Sequence, residues 1–181
     1  FIGTPTFPST KFQFVFKKPV KCDRIKIEFV ELSPEALASD GTQTPAIAEF
    51  TFIENIDGDI IETIPTTSIF DSNYINEHRV KNGEYTYTGS EGLSDRPLSN
   101  AFDDRTDTFW IAKTENTDSY HNSIDITFND RIQLEGILYD SGYSSGSQVF
   151  HGFPKKLNIY SSIGNEEYKL EALFVGTPTW P

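Results

Sequence analysis

The chain has 181 residues, with 27 Asp and Glu against 15 Lys and Arg, a formal net charge of −12. That balance argues against a nucleic-acid ligand, whose phosphates need a basic footprint, and against an anionic membrane surface. It suits a soluble domain, a binder of neutral or cationic ligands, or a host for a hard cation such as calcium. The length is enough for one domain with a sizeable core or two very small ones, and 15 Phe, 8 Tyr and 2 Trp predict an aromatic-rich core. The single cysteine, Cys22, allows no intrachain disulfide. Its setting, CDRIKIEFV, reads as a strand and makes it a small buried hydrophobe, with no nearby His or basic cluster to lower its pKa. No stretch approaches the roughly 18 apolar residues of a membrane span, and no secretory leader pattern is present. The chain opens at Phe1 and contains no Met, so it is expected to be a piece of something longer.

Short runs of period two dominate the chain. Phe12, Phe14 and Phe16 alternate with polar residues, as do Ile25, Ile27 and Phe29. The period recurs at Ile124, Ile126 and Phe128, and again at Ile132, Leu134 and Gly136. Such runs separated by turn residues are the pattern of an antiparallel sandwich or barrel. Strands are predicted over 11–17, 23–31, 47–54, 58–64, 123–128, 132–140, 155–161 and 167–175, with a tight hairpin at Asp57-Gly58. Helical patterning is limited to PEALA at 34–38 and LSNAF at 98–102, and residues 65–82 read as a polar, irregular connection. One internal repeat stands out: FIGTPTFP at 1–8 returns as FVGTPTWP at 174–181. A recurrence of that kind predicts one period of a tandem array, cut at the same point in successive copies.

The most informative stretch is AFDDRTDTFW, residues 101–110. A short turn rich in Asp and Thr supplies carboxylate, hydroxyl and carbonyl oxygens to a hard cation, and its two closing aromatics anchor it on the core. It lacks the alternating Asp ligands and twelfth-position Glu of an EF-hand. It resembles the "AFDG-x-x-x-TYW" segment of discoidin, or coagulation-factor C-type, domains. The match lies at Ala101, Phe102, Asp103, Thr108 and Trp110, with Phe109 in place of Tyr. Downstream, SIDITF (123–128), IQLEGILY (132–139) and GFPKKLNIYSSIGNEEYK (152–169) resemble the strands that follow in that family, in the family's order. The family's late strands are resembled at the start instead, by TKFQFVFKKPVKCDRIKIEFVE (10–31) and AIAEFTFIE (46–54).

The resemblance therefore implies an all-β fold, an antiparallel discoidin-like jelly-roll sandwich in circularly permuted order. Residues 1–55 would supply the late strands, 56–83 a connector and 84–181 the early strands of a single sandwich. Closure of the halves within one chain is expected, since sandwich termini lie close together and local concentration is high. A domain-swapped arrangement is the alternative. The resemblance also implies a structural calcium ion, held by Asp103, Thr108, the carbonyls of Ala101 and Arg105, and Glu49 from the opposite half. Asp104-Arg105 departs from the family's usual Gly-Asp: the Arg105 charge works against a cation, and Asp104 offers compensation.

Carbohydrate-binding members of the family carry their ligand on loops at one end of the sandwich, and the matching loops here are 31–45, 111–122 and 140–152. Within them Tyr120, His121, Tyr143, Phe150 and His151 are the predicted ligand residues, because sugar faces stack on aromatics while hydroxyls need fixed polar partners. Galactose-binding relatives place an Arg and an Asn where this chain has Gly142 and His151, so the usual galactose grip is not matched. No G-x-S-x-G, H-E-x-x-H, P-loop or G-x-G-x-x-G is present, and the three histidines lack metal-ligand spacing. The expectation is a non-enzymatic, extracellular or cell-surface module of a larger microbial protein. Its expected partners are a glycan or surface glycoprotein and neighbouring repeats, with no nucleic acid and no membrane insertion. The alternative is a spacer repeat in a stalk, or a protein–protein interaction module, with no glycan ligand.

Overall fold

The computed structural model describes residues 11–32, 45–56, 70–113, 122–140 and 154–175. The eight strands among them are β1 (Lys11–Leu32), β2 (Ala46–Ile47), β3 (Glu49–Glu54), β4 (Tyr85–Gly89), β5 (Trp110–Ile111), β6 (Ser123–Asp140), β7 (Pro154–Ser162) and β8 (Lys169–Val175). One helix, α1 (Ser72–His78), and a 3-10 turn at Leu98–Phe102 complete the set. All pairings are antiparallel, and the sheets pack together as an all-β sandwich.

Two long strands organise it. The runs predicted separately at 11–17 and 23–31 are one strand, as are those at 123–128 and 132–140. β1 and β6 run antiparallel along almost their full length, Phe12 opposite Tyr139 at one end and Ile27 opposite Ile124 at the other. Their register slips between Val15 and Val20 and again between Cys22 and Arg24. Bulges of this kind bend and twist a ladder, so one strand serves both layers. On one side of the bend β3 pairs with β6, Glu49 opposite Asp140. On the other, β4 lies beside the first half of β6, and β7 then β8 extend the sheet from β1. Strands from the first and last parts of the sequence are thus interleaved.

The period-two residues meet in the middle. Ile25, Ile27 and Phe29 of β1, Ile124, Ile126 and Phe128 of β6, and Leu157 and Ile159 of β7 join one buried cluster. Phe52 of β3 is fully buried and reaches across the layers, its ring centroid 5.2 Å from Tyr85 and 5.5 Å from Phe128, both edge-on. Cys22 is buried in β1 as expected, and burial, aided by Asp23, pushes its thiol up to about 12.

LSNAF forms the 3-10 turn. PEALA, the strand predicted at 58–64 and the Asp57-Gly58 hairpin lie outside the described residues, as do all of 1–8 and most of 174–181. The stretch predicted irregular over 65–82 contains α1, and the reason is local. Asp71 caps the helix, its carboxylate accepting from the backbone N–H groups of Asn73 and Tyr74 at 2.9 Å. Phe70, Tyr74 and His78 then stack in a row, 5.2 Å and 3.8 Å apart. The Tyr74 hydroxyl donates to the carboxylate of Glu135, a buried residue of β6. Gly136 makes room beside it: a Cβ there would meet the Phe14 carbonyl and the Phe70 ring, both at 2.8 Å.

Phe52→Ala opens a cavity at the contact between layers. The expected loss is about 3–5 kcal/mol of unfolding free energy in urea, the range for a buried Phe truncation; a loss below 1 kcal/mol would mean the layers do not meet there.

Candidate cation site and ligand loops

The sandwich brings β3 and the 101–110 loop together. The 3-10 turn buries Ala101 and Phe102, and the Phe102 ring stacks on Phe50 at 6.0 Å, Phe52 at 6.4 Å and Tyr87 at 4.3 Å. At the loop's other end Trp110 is wholly buried and Phe109 lies under the Arg96 guanidinium, 3.7 Å from its ring centre. The aromatics anchor the turn between them. Asn100 adds a bond across its base, donating to the Phe109 carbonyl at 3.2 Å.

Inside that frame Asp103, Thr108 and the Arg105 carbonyl come together. The Thr108 hydroxyl donates to Asp103 at 2.8 Å and lies 3.5 Å from the Arg105 carbonyl. Asp103 also accepts from the Arg105 backbone N–H at 3.0 Å. Separations of about 3 Å are those of adjacent oxygens around an ion bound at roughly 2.3–2.6 Å. Asp104 has φ +60°, a left-handed conformation that non-glycine residues seldom adopt, at the position where the resembled family carries Gly. The Arg105 guanidinium turns outward to Asp107, at 2.8 Å and 3.0 Å, and still feels the Asp103 charge.

Glu49 is the unusual member. It opens β3, and both of its carboxylate oxygens are shut off from solvent and make no hydrogen bond among the described residues. Burial first, then the charges of Asp104 and Asp103, raise its pKa to about 8. The Asp104 backbone N–H and the Arg79 guanidinium pull the other way but do not prevail, and neither bonds it with good geometry. A buried carboxylate without partners costs several kcal/mol when ionised. Such a group either keeps its proton or takes a cation.

Glu49, Asp103, Thr108 and the Ala101 and Arg105 carbonyls fit calcium by donor type. Among the described residues no three or more His, Cys, Asp or Glu side chains are grouped to hold a metal. Hydroxyl and carbonyl oxygens are donors that calcium takes in irregular geometry, whereas magnesium demands a near-ideal octahedron. Glu49 and Thr106 also line a cavity of about 290 Å³ between α1 and the rim of β3 and β6, open space beside the acid.

Among the described residues, Arg79 and Asn82, outside the expected set, also touch the site. The Arg79 guanidinium pairs with the Asp104 carboxylate, and Asn82 donates to it at 2.7 Å and to the Phe102 carbonyl at 3.2 Å. Both lie before residue 84, where the resemblance resumes. The predicted ligand residues Tyr120, His121, Tyr143, Phe150 and His151 lie outside the described residues. Of the histidines, His78 is described: it is buried, with Nδ1 3.0 Å from the Glu54 carbonyl.

No protein-family model matches the chain, and no curated protein matches it.

The raised pKa of Glu49 sets a pH dependence. In chelator-treated protein the folded state holds a proton that the unfolded chain releases near 4.5. That contribution is fully present below about pH 4.5 and is lost as pH rises through about 8. Glu49→Gln should flatten this part of the profile, so the variant gains on wild type as pH rises from about 5 to about 9. Urea-denaturation free energies across that range check it; parallel profiles would place the Glu49 carboxylate in water.

Proposed function

We propose that the chain is a non-catalytic binding module of discoidin type, in which a structural calcium ion clamps the rim of the sandwich and the adjoining loops take a glycan. The observation that carries the reading is Glu49. A solvent-excluded carboxylate without hydrogen bonds stands beside a loop, 101–110, whose sequence resembles a known calcium turn. The ion would be held by Glu49, Asp103, Thr108 and the carbonyls of Ala101 and Arg105. It would join β3 to a loop more than fifty residues later, so binding and folding are linked. The glycan ligand rests on Tyr120, His121, Tyr143, Phe150 and His151, which combine stacking surfaces with polar groups. An acidic domain whose fold leans on calcium suits an extracellular or cell-surface microbial protein, where the ion is abundant enough for modest sites to fill. The near-repeat of 1–8 at 174–181 supports a setting among tandem copies.

Calcium is tested by melting. At about a hundredfold excess over Kd, an ion that binds only the folded state adds about 2.7 kcal/mol. That is roughly 5–10 °C for a domain of this size. The expected result is a higher Tm in millimolar calcium than in chelator, with the difference gone in Glu49→Gln; an unchanged wild-type Tm sinks the ion.

The glycan is tested on an array with the isolated chain. Binding that disappears in Tyr143→Ala and in His151→Ala supports the loop site. Silence across the array, with the calcium effect intact, favours a spacer repeat.

A further inference from the structure

Resting on that calcium reading, we infer that Arg79 governs the strength of the cation site by holding the Asp104 carboxylate away from it. Asp104 follows the ligand Asp103 directly. Its carboxylate is bound by a side-chain cation, the Arg79 guanidinium, and by an amide, Asn82 at 2.7 Å. Asn82 is itself fixed, donating to the Phe102 carbonyl at 3.2 Å and accepting from the Tyr85 hydroxyl at 2.8 Å. The clamp thus rests on buried groups on one side and on the end of a helix on the other.

Arg79 is placed by the backbone, independently of Asp104. It terminates α1, its N–H donating to the Ile75 carbonyl, and it bridges to Ile53 of β3, four residues from Glu49. Val80 continues the connection, donating to the Phe52 carbonyl at 2.9 Å. The guanidinium therefore reaches the acid cluster from the same strand edge that carries Glu49, and its charge is felt there. It acts twice: it neutralises part of the field a calcium ion would meet, and it occupies a carboxylate that would otherwise be a further ligand. Arg79 and Asp104 are 30% and 47% exposed, so the pair adds little to folding. Its position beside the site is what matters. Calcium sites are tuned over orders of magnitude by ligand charge and number. Arg79 lowers both, which suits a site meant to bind weakly and to fill at high calcium.

The test is calcium titration calorimetry on the whole chain, with folding checked in chelator by circular dichroism. Arg79→Gln should bind calcium about tenfold more tightly than wild type. Arg79→Lys, which keeps the charge, should stay near wild type. Adding Asp104→Asn to Arg79→Gln should remove the gain. Should Arg79→Gln fail to fold, Arg79→Met keeps the aliphatic stem and carries the same expectation. Equal or weaker binding on loss of the guanidinium charge overturns the inference while leaving the calcium reading intact, provided wild type binds. A gain that survives Asp104→Asn also overturns it, because the freed carboxylate is then not the ligand. Binding by Arg79→Gln but not by wild type supports it. No heat from any protein overturns the calcium reading and this inference together.

Discussion

Everything at the rim of this molecule depends on two strands that refuse to stay in one layer. β1 and β6 pair through both halves of the sandwich, and the register slips between Val15 and Val20 and between Cys22 and Arg24 turn them from one half to the other. Because β3 takes its register from the far end of β6, Glu49 must fall opposite Asp140, at the start of its strand. Because β4 takes its register from the near end, Tyr85 falls opposite Phe128 and faces Phe52. A one-residue slip would turn each strand's apolar set outward, and the packing of Phe52 on Tyr85 and Phe128 resists that slip. The position of the acid is thus a consequence of aromatic packing some distance away.

β1 and β6 were legible where one face is buried and the other wet. Ile25, Ile27 and Phe29, and likewise Ile124, Ile126 and Phe128, announce their faces by alternation. Continuity was not legible. Lys17-Lys18-Pro19 and Asn129-Asp130-Arg131 look like breaks between strands, yet each lies within one continuous strand. Polar residues at an exposed bend carry no apolar signature, so period alone cannot separate a bend from an end. α1 was hidden for a different reason. It is seven residues long and buries one of them, His78, so it has no apolar stripe to read. Its stability comes from the Asp71 cap and from Tyr74 docking on Glu135, and only the cap leaves a mark in the sequence. The short β4 and β5 were also missed; two residues, as in β5, are too few to show a period.

In the site, local features were readable and distant ones were not. Asp103, Thr108 and the aromatic anchors are close in sequence, and their spacing carries the turn. The burial of Glu49 followed from no residue near it; what pointed to it was the order of strand-like segments matched to a family pattern. Arg79 and Asn82 escaped altogether. They belong to a connection between the two resembled halves, where no pattern was available, and they reach Asp104 only because α1 ends against β3.

Their presence explains how Asp104 can stand where a glycine would be easier. A left-handed φ at a non-glycine residue is an unfavourable conformation and persists where surrounding contacts favour it. Here the Asp104 side chain supplies those contacts, binding Arg79 and Asn82. A charged residue at this position thus brings its own restraint, and it also shapes the electrostatics. Asp104 and Asp103 both disfavour ionised Glu49, while Arg79 favours it. The arginine cannot settle the account alone, because it is bound to Asp104 and leaves both Glu49 oxygens unbonded. A side chain tethered at the end of α1 comes only as close as its backbone allows. The positive charge built into the fold thus steadies the loop without bonding the buried acid.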